Sequence, residues 1–143
     1  PPGCRKCIDA CPTGALRHGG SWTWQLDSRL CLSWQTIESG CGIATDLRPA
    51  NGFRIFGCES CIDACPFNQA VPQRKVLDLG KLLCLDSQAL FNNKFAGTSV
   101  MRAGWRQFLA NVCVACGNTG ICRDCWNLEG ILITWSRLTP VGQ

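Results

Sequence analysis

The sequence predicts a mainly α-helical chain with a small α+β part, in which a cysteine-rich module precedes an α-helical region. Three observations predict this class. Thirteen of the 143 residues are cysteine, and those of the first half stand mostly in tight runs. The six letters CIDACP occur twice, at 7–12 and again at 61–66. Beyond residue 76, apolar residues recur at helical spacing behind capping residues.

Between the two runs the sequence predicts one strand. In SWTWQLD, apolar residues alternate with Ser, Thr and Gln, which is typical of a half-buried strand. We expect its two tryptophans, together with Trp34, to pack over a neighbouring metal site and to exclude water from it. The apolar positions of the strand are Trp22, Trp24 and Leu26.

A helix should follow in LDSRLCLSWQTIE, beginning near Asp27. Cys31 stands beside its predicted apolar face. The stretch SGCGIATDLRPANG then predicts a loop with one helical turn after Thr45. The residues of the predicted apolar face are Leu30, Trp34 and Ile37.

The second half should be helical. Asp78, Asp86 and Thr98 each precede an apolar-periodic stretch and are expected to cap it. The letters GNTG at 117–120 should end the longest of these helices, and NLEGILITWSRL predicts a further one. Because AVPQRK is typical of a linker, we place two domains at 1–75 and 76–143.

The cysteine content would suit a disulfide scaffold, but the pattern does not. The cysteine count is odd, no secretory signal is visible, and the thiols stand in C-x2-C and C-x3-C runs. Such spacing is typical of metal or cluster ligands in a reducing compartment. The net charge of +4 is spread over both halves, so it permits an anionic partner without forming a concentrated basic patch. No apolar run approaches the length of a membrane span.

Each run offers three thiols in the pattern that an iron–sulfur cube requires. A [4Fe-4S] cluster has four iron corners, each of which needs a thiolate. In bacterial two-cluster ferredoxins, the last cysteine of each run binds the other cluster. C-x3-C-P is not a usual zinc spacing. The repeat therefore predicts a bacterial dicluster ferredoxin-like module rather than zinc knuckles or redox C-x2-C pairs.

This exchange of thiolates predicts the ligands of each cluster. One cluster should take one thiolate from the first run, two from the second and one from the segment between them. The other cluster should take two from the first run and one that crosses over from the second. The first set is Cys11, Cys31, Cys58 and Cys61, and the second is Cys4, Cys7 and Cys65.

The second set lacks a fourth thiolate. The position three before Cys4, where such a run begins, is Pro1. Either the edge of the chain is unreliable there, or this cluster is incomplete and loses an iron or borrows a ligand such as Cys41. Because the chain opens on Pro-Pro and not on Met, we expect it to be a fragment of a longer protein.

Two further C-x2-C pairs follow in the helical half. They are chemically adequate for tetrahedral zinc, but the five residues between them are fewer than zinc ribbons use. Buried free cysteine behaves as a small hydrophobe, so we favour core cysteines and keep zinc as the alternative. The four are Cys113, Cys116, Cys122 and Cys125, and we assign Cys84 to the core as well.

Several stretches together resemble the tRNA epoxyqueuosine reductase family. PPGCRKCIDACPTGAL is similar to the family's C-G-x-C-x-x-C-x-x-x-C-P-T-x-A from Cys4 onward and departs from it at Pro1. SRLCLSWQTIE resembles R-C-I-S-Y-L-T-I-E, which puts Cys31 at a cluster position. LRPANGFRIFGCESCIDACPFN and FNNKFAGTSVMRAGWRQFLANVCVACGN are similar to two further family signatures, so the resemblance extends to about Asn118.

The resemblance implies a dicluster module followed by a HEAT-like helical region, in an enzyme that reduces epoxyqueuosine to queuosine in tRNA. Two [4Fe-4S] clusters would pass electrons from an external donor to cobalamin, whose own domain lies upstream in the family and is absent from this chain. The cluster of Cys31 would face the corrin, with Ser33 and the Ser60–Cys61 stretch as candidate cobalamin contacts. A cytoplasmic monomer is expected, and this chain alone should hold clusters without turning over substrate.

The sequence supports weaker predictions for four other polar residues. Arg102 and Arg106 lie on the helix whose family counterpart is near the tRNA, so they either contact phosphates or form a solvated face. Glu38 either reaches the substrate or caps a turn, and His18 should be an exposed polar residue.

Three alternatives remain open at this point. The chain is either a plain dicluster electron-transfer module for another partner, or part of a different cobalamin and iron–sulfur reductase such as a reductive dehalogenase. The third alternative is a decayed copy, which Pro1 and the cysteines at aliphatic positions suggest.

Overall fold

A computed structural model describes residues 3–20, 23–68 and 78–120. These residues are rich in short helices and contain one two-stranded sheet, as the sequence predicts. No helix among them is long and apolar enough to cross a membrane. In chain order the elements are α1 (Lys6–Asp9), β1 (Leu16–Gly19), β2 (Thr23–Leu26), α2 (Leu32–Ile37), α3 (Arg48–Asn51), α4 (Ser60–Asp63), α5 (Leu79–Leu83), α6 (Gln88–Phe95) and α7 (Gly104–Thr119), with 3₁₀ turns at Ser28–Leu30, Thr45–Leu47 and Ser99–Arg102.

The sheet is an antiparallel hairpin in which Leu16 pairs with Leu26. The predicted strand β2 is confirmed, but its predicted half-burial is wrong, because all four of its residues are exposed. Trp24 is 54% exposed. It contacts His18 edge-on with ring centroids 5.5 Å apart, and His18 is exposed as predicted. Trp22 lies outside the described residues.

The predicted helix from Asp27 is interrupted at Cys31. Asp27 caps only a 3₁₀ turn, and Cys31 is extended with φ −73° and ψ 116° before α2 begins. The carbonyl of Arg29 accepts the Gln35 side-chain amide at 2.6 Å, which draws it away from a continuous helical ladder. The helical register restarts at the break, so the predicted apolar face is only partly confirmed. Leu30 packs against an apolar core cluster, whereas Trp34 is exposed. The buried residues of α2 are Leu32, Gln35 and Thr36.

The helical half is built around α7. Three phenylalanines meet there at ring-centroid distances of 4.9–5.4 Å, and full burial of each such side chain contributes roughly 1.5–3 kcal/mol before entropy is counted. The indole N–H of Trp105 donates to the carbonyl of Leu85 at 2.8 Å and closes one side of this core. The buried core residues are Leu82, Phe91, Phe95, Phe108, Val112 and Cys116.

The predicted caps have mixed outcomes. Asp78 accepts a hydrogen bond from the Lys81 amide and caps α5, as predicted. Asp86 does not cap α6, because Ser87 takes that position and accepts from the Leu90 amide. Thr98 precedes a 3₁₀ turn without a side-chain cap bond. The helix α7 ends at Gly120, whose φ of 66° lies in the left-handed region that glycine tolerates.

The cysteines of the helical half separate into two environments. Cys116 is 1% exposed within the phenylalanine core, which agrees with the core assignment, and Cys113 is half-buried. The core assignment of Cys84 is wrong, because α5 ends there and its thiol is exposed. The pair Cys122 and Cys125, the predicted helix in NLEGILITWSRL, and the domain boundary after residue 75 lie outside the described residues.

Candidate metal centre

The two CIDACP runs fold into the same backbone. In the first run the Cys11 amide donates to the Ile8 carbonyl at 3.0 Å, and in the second the Cys65 amide donates to the Ile62 carbonyl at 3.1 Å. The helices of the two runs, α1 and α4, pack against each other. This packing brings the runs together, as an exchange of thiolates between them requires.

The Cys11 thiol is surrounded by hydrogen-bond donors. Burial alone raises the pKa of Cys11, but hydrogen bonds from the backbone of Leu16, Thr13 and Ala15, with a contribution from the Thr13 side chain, outweigh it, so the pKa lies below its ordinary value. The Thr13 oxygen is 3.8 Å from the sulfur. These donors favour the thiolate, which is the form that binds iron.

The Cys61 thiol lies close to two other predicted ligands. Burial raises the pKa of Cys61, and the charges of Cys58 and Cys11 raise it further, against hydrogen bonds from its own backbone and from that of Ile62. Such repulsion is felt only between near neighbours. Cys61 therefore lies within electrostatic range of Cys58 in its own run and of Cys11 in the other run. Thiols that oppose each other's ionisation are deprotonated when a metal binds among them.

Thr13 links the first run to the segment that carries Cys31. Its hydroxyl donates to the Leu30 carbonyl at 2.6 Å, and Leu30 immediately precedes Cys31. Because the same oxygen lies beside the Cys11 sulfur, one side chain holds the backbone near two predicted ligands.

The approach to Cys58 is held on two sides. The Gly57 amide donates to the Thr36 hydroxyl at 2.9 Å, and Gly57 has a φ of 72°, which favours glycine. Cys58 itself packs against the apolar cluster of Leu32, Ile43 and Leu47. On the other side, Ser60 Oγ lies 3.5 Å from the Cys58 sulfur.

Two buried amides of α7 hold both segments. Asn111 Nδ2 donates to the carbonyls of Thr36 at 2.7 Å and of Ile55 at 3.0 Å. Gln107 Nε2 donates to the Gln35 carbonyl at 3.0 Å, and its oxygen accepts from the Gly42 amide at 2.9 Å. The helical region is thus hydrogen-bonded to the backbone on which Cys31 and Cys58 depend.

The remaining candidates have plainer surroundings. Cys41 is exposed, and Pro1 lies outside the described residues. The Arg102 guanidinium pairs with the Glu38 carboxylate at 2.6 Å, an exposed contact worth little to stability, and Arg106 is exposed. The half-buried members of the predicted sets are Cys4, Cys7, Cys11, Cys31, Cys58, Cys61, Cys65, Ser33 and Ser60.

The donor set fits an iron–sulfur cube. The seven predicted cluster ligands, Cys4, Cys7, Cys11, Cys31, Cys58, Cys61 and Cys65, are free thiols. Within those ranges, no three His, Cys, Asp or Glu side chains converge as the ligands of a single ion do. Ligands of a cube need not converge in that way, because each thiolate binds a different iron.

The polar side chains that hold this centre were not predicted from the sequence. The available signal was a pair of amide side chains four residues apart on the apolar face of α7, where an unpartnered polar group would be costly. The residues concerned are Thr13, Thr36, Arg54, Gln107 and Asn111.

Comparison with known proteins agrees with this description. A family model described as a 4Fe-4S double cluster binding domain matches residues 2–68. The epoxyqueuosine reductase of Francisella cf. novicida (strain Fx1) is 36% identical over 131 residues, which cover 85% of this chain and 35% of that protein. That of Pseudomonas aeruginosa is 38% identical over 125 residues, covering 80% of this chain and 34% of that protein. The chain is homologous to the epoxyqueuosine reductases.

Solved epoxyqueuosine reductase structures share the fold. The structure from Bacillus subtilis aligns with a TM-score of 0.68 at 30% identity and covers 82% of this chain and 33% of its own. An epoxyqueuosine reductase with a tRNA-Tyr epoxyqueuosine-modified stem loop aligns with a TM-score of 0.67 at 30% identity, covering 82% of this chain and 32% of its own. The chain therefore spans about a third of the length of the epoxyqueuosine reductases that it matches, and the match includes their iron–sulfur part.

Proposed function

We propose that this chain is the iron–sulfur part of an epoxyqueuosine reductase, which reduces epoxyqueuosine to queuosine in tRNA. The observation that carries the proposal is the 36–38% identity to reductases of that name over four fifths of the chain. The thiols of the matched region support it, because several cysteines that can bind iron lie within residues 2–68, which match a 4Fe-4S double cluster binding domain.

The chain's own residues would hold two [4Fe-4S] clusters. One set is Cys11, Cys31, Cys58 and Cys61, which the electrostatic influence of Cys58 and Cys11 on Cys61 supports, as does the bond from Thr13 to the segment of Cys31. The other set is Cys4, Cys7 and Cys65, with Pro1 at the missing corner and Cys41 as a conceivable substitute. The packing of α1 against α4 supports the crossing of Cys65 to the first run.

The face around the second run would meet the cobalamin that another part of the enzyme binds. Cobalamin supplies a strongly nucleophilic cobalt once it is reduced, and the clusters would pass it electrons from an external donor. Large apolar side chains are exposed beside the run, with Phe53 72%, Ile62 50% and Phe67 80% exposed. Such a patch marks a surface that is covered in the complete assembly. Ser33 and the Ser60–Cys61 stretch remain the candidate contacts.

The tRNA would approach the helical region. One homologous structure carries a modified tRNA stem loop, and the net charge of +4 suits a polyanion. Arg106 is exposed and is the better phosphate contact, because Arg102 is already paired with Glu38. The division at 75/76, the HEAT-like character of the second part, the monomeric state and the cytoplasmic location belong to the same proposal.

A chimera tests the proposed function. The segment of the P. aeruginosa reductase that matches this chain is replaced by the chain, and the product is assayed with cobalamin, a reductant and epoxyqueuosine-containing tRNA. We expect queuosine among the tRNA nucleosides by mass spectrometry, and none from the Cys58→Ala chimera. A chimera that folds and binds iron but forms no queuosine would overturn the proposal in favour of an electron-transfer module for another partner.

A further inference from the structure

We propose that Arg54 is a positioning residue that directs the Ser60 hydroxyl onto the Cys58 thiolate and thereby raises the reduction potential of the cluster that Cys58 holds. The inference rests on the proposed function, because Cys58 must be a cluster ligand. It concerns only side chains of this chain.

The Arg54 guanidinium is fixed by its neighbour Asn51. Arg54 Nη1 donates to the Asn51 carbonyl at 3.0 Å, and Asn51 Nδ2 donates back to the Arg54 carbonyl at 2.7 Å. Asn51 is fully buried, so the pair is held against the end of α3. The other terminal nitrogen of the guanidinium, Nη2, is therefore held in one orientation.

This second nitrogen of Arg54 binds the Ser60 hydroxyl. Arg54 Nη2 lies 3.0 Å from Ser60 Oγ, and a guanidinium only donates hydrogen bonds. The serine oxygen must therefore accept from Arg54, which directs its own O–H elsewhere. The Cys58 sulfur is 3.5 Å away, and a thiolate bound to iron has no proton to give. Ser60 is the donor in that contact.

A hydrogen bond to a ligand sulfur favours the state with more negative charge. Reduction adds one electron and no proton to a cluster, and hydrogen bonds to its sulfurs are among the factors that set its potential. The Ser60 bond should therefore raise the potential. Losing it should lower the potential.

The first run offers an internal comparison. Ser60 stands two residues after Cys58, and the corresponding position after Cys4 is Lys6, which is exposed. A lysine side chain there is not the oriented hydroxyl of the second run. Changes at Arg54 and Ser60 should therefore move the potential of one cluster and leave that of the other in place.

The experiment uses the 143-residue chain reconstituted without oxygen. Midpoint potentials are read by electron paramagnetic resonance during titration with a low-potential chemical reductant, and iron per chain is measured in parallel. The variants are Ser60→Ala, Ser60→Thr, Arg54→Lys and the double variant Ser60→Ala/Arg54→Lys. Arg48→Lys is the matched control, because Arg48 is also half-buried but binds the carbonyl of Ile43.

We expect Ser60→Ala to lower the potential of one cluster and Ser60→Thr to keep it near the original value. Arg54→Lys should also lower this potential. Lysine keeps the charge but cannot bind the Asn51 carbonyl and the Ser60 hydroxyl together in a fixed geometry. On the Ser60→Ala background, Arg54→Lys should add no further shift. Arg48→Lys should change nothing.

Two results would overturn the inference alone. One is an unshifted potential in Ser60→Ala with iron retained, and the other is an Arg54→Lys shift that persists in full without the Ser60 hydroxyl. If the unsubstituted chain takes up no cluster, both the inference and the proposed function fail.

Discussion

The two copies of CIDACP have the same letters and the same backbone, yet they are held differently. The second copy follows a segment that is fixed by buried groups, in which Asn111 binds Thr36 and Ile55 and the Thr36 hydroxyl binds Gly57. The first copy is fixed by Thr13 and continues into an exposed hairpin. The repeat thus determines the shape of each ligand loop, whereas distant residues determine how firmly each loop is held.

The comparison extends to the chemistry of single thiols. The pKa of Cys11 is lowered by the surrounding hydrogen bonds, and that of Cys61 is raised by burial and by neighbouring thiolates. The two belong to one predicted cluster. The predicted ligand set therefore contains one thiol whose ionisation is favoured by hydrogen bonds, Cys11. It also contains one whose ionisation depends on the bound metal, Cys61.

The largest expected effect is the loss of a cluster. Cys61→Ala should remove about half of the iron, because one of the two cubes loses one of its thiolate ligands. Iron and sulfide analysis after anaerobic reconstitution measures this. Cys116→Ala is the control, since Cys116 lies in the phenylalanine core. Iron loss in the control would contradict the assignment of Cys116 to the core.

Next in size is the loss of the buried amide that anchors the second copy. Asn111→Ala leaves two carbonyls without their donor and should lower the free energy of unfolding by about 2–4 kcal/mol. Asn118→Ala is matched to it, because Asn118 also binds two carbonyls but is exposed. Urea titration should show a much smaller loss of unfolding free energy for Asn118→Ala than for Asn111→Ala. Equal losses would contradict the expectation that the buried amide contributes more to stability than the exposed one.

A smaller effect is expected at the anchor of the first copy. Thr13→Val keeps the shape of the side chain but removes its hydrogen bond to Leu30, which should cost about 1 kcal/mol. The change should also slow cluster assembly, because Cys11 and the segment of Cys31 are no longer tied together. A larger stability loss than that of Asn111→Ala would reverse the ranking of the two anchors.

The smallest effect is a difference in thiol reactivity in the cluster-free chain. At neutral pH the lowered pKa of Cys11 gives it a larger thiolate fraction than Cys61, whose pKa is raised, so iodoacetamide should modify Cys11 faster than Cys61. At a pH high enough to ionise both thiols, the difference between the two rates should narrow. Peptide mass spectrometry after brief alkylation measures both rates, and a faster Cys61 at pH 7 would contradict the opposed shifts.

Much of this architecture is readable from the sequence because it is local. The repeat, the strand at 23–26, the turn after Thr45 and the cap at Asp78 depend on neighbouring residues. Prediction failed where a distant partner decides the outcome. The segment before Cys31 is bound by Thr13, 17 residues away in sequence. Burial of Gln35 and Thr36 depends on α7, which lies about seventy residues away. Hydrophobic periodicity places two amides on the apolar face of α7 but does not show which distant backbone groups they bind.

The central claim is that the two runs hold two iron–sulfur cubes between them. Metal and sulfide analysis of the chain purified and reconstituted without oxygen tests it most directly. We expect iron and sulfide in nearly equal amounts, at about eight of each per chain, or about seven iron if the corner at Pro1 is lost. A colourless chain that carries zinc and no sulfide would contradict it.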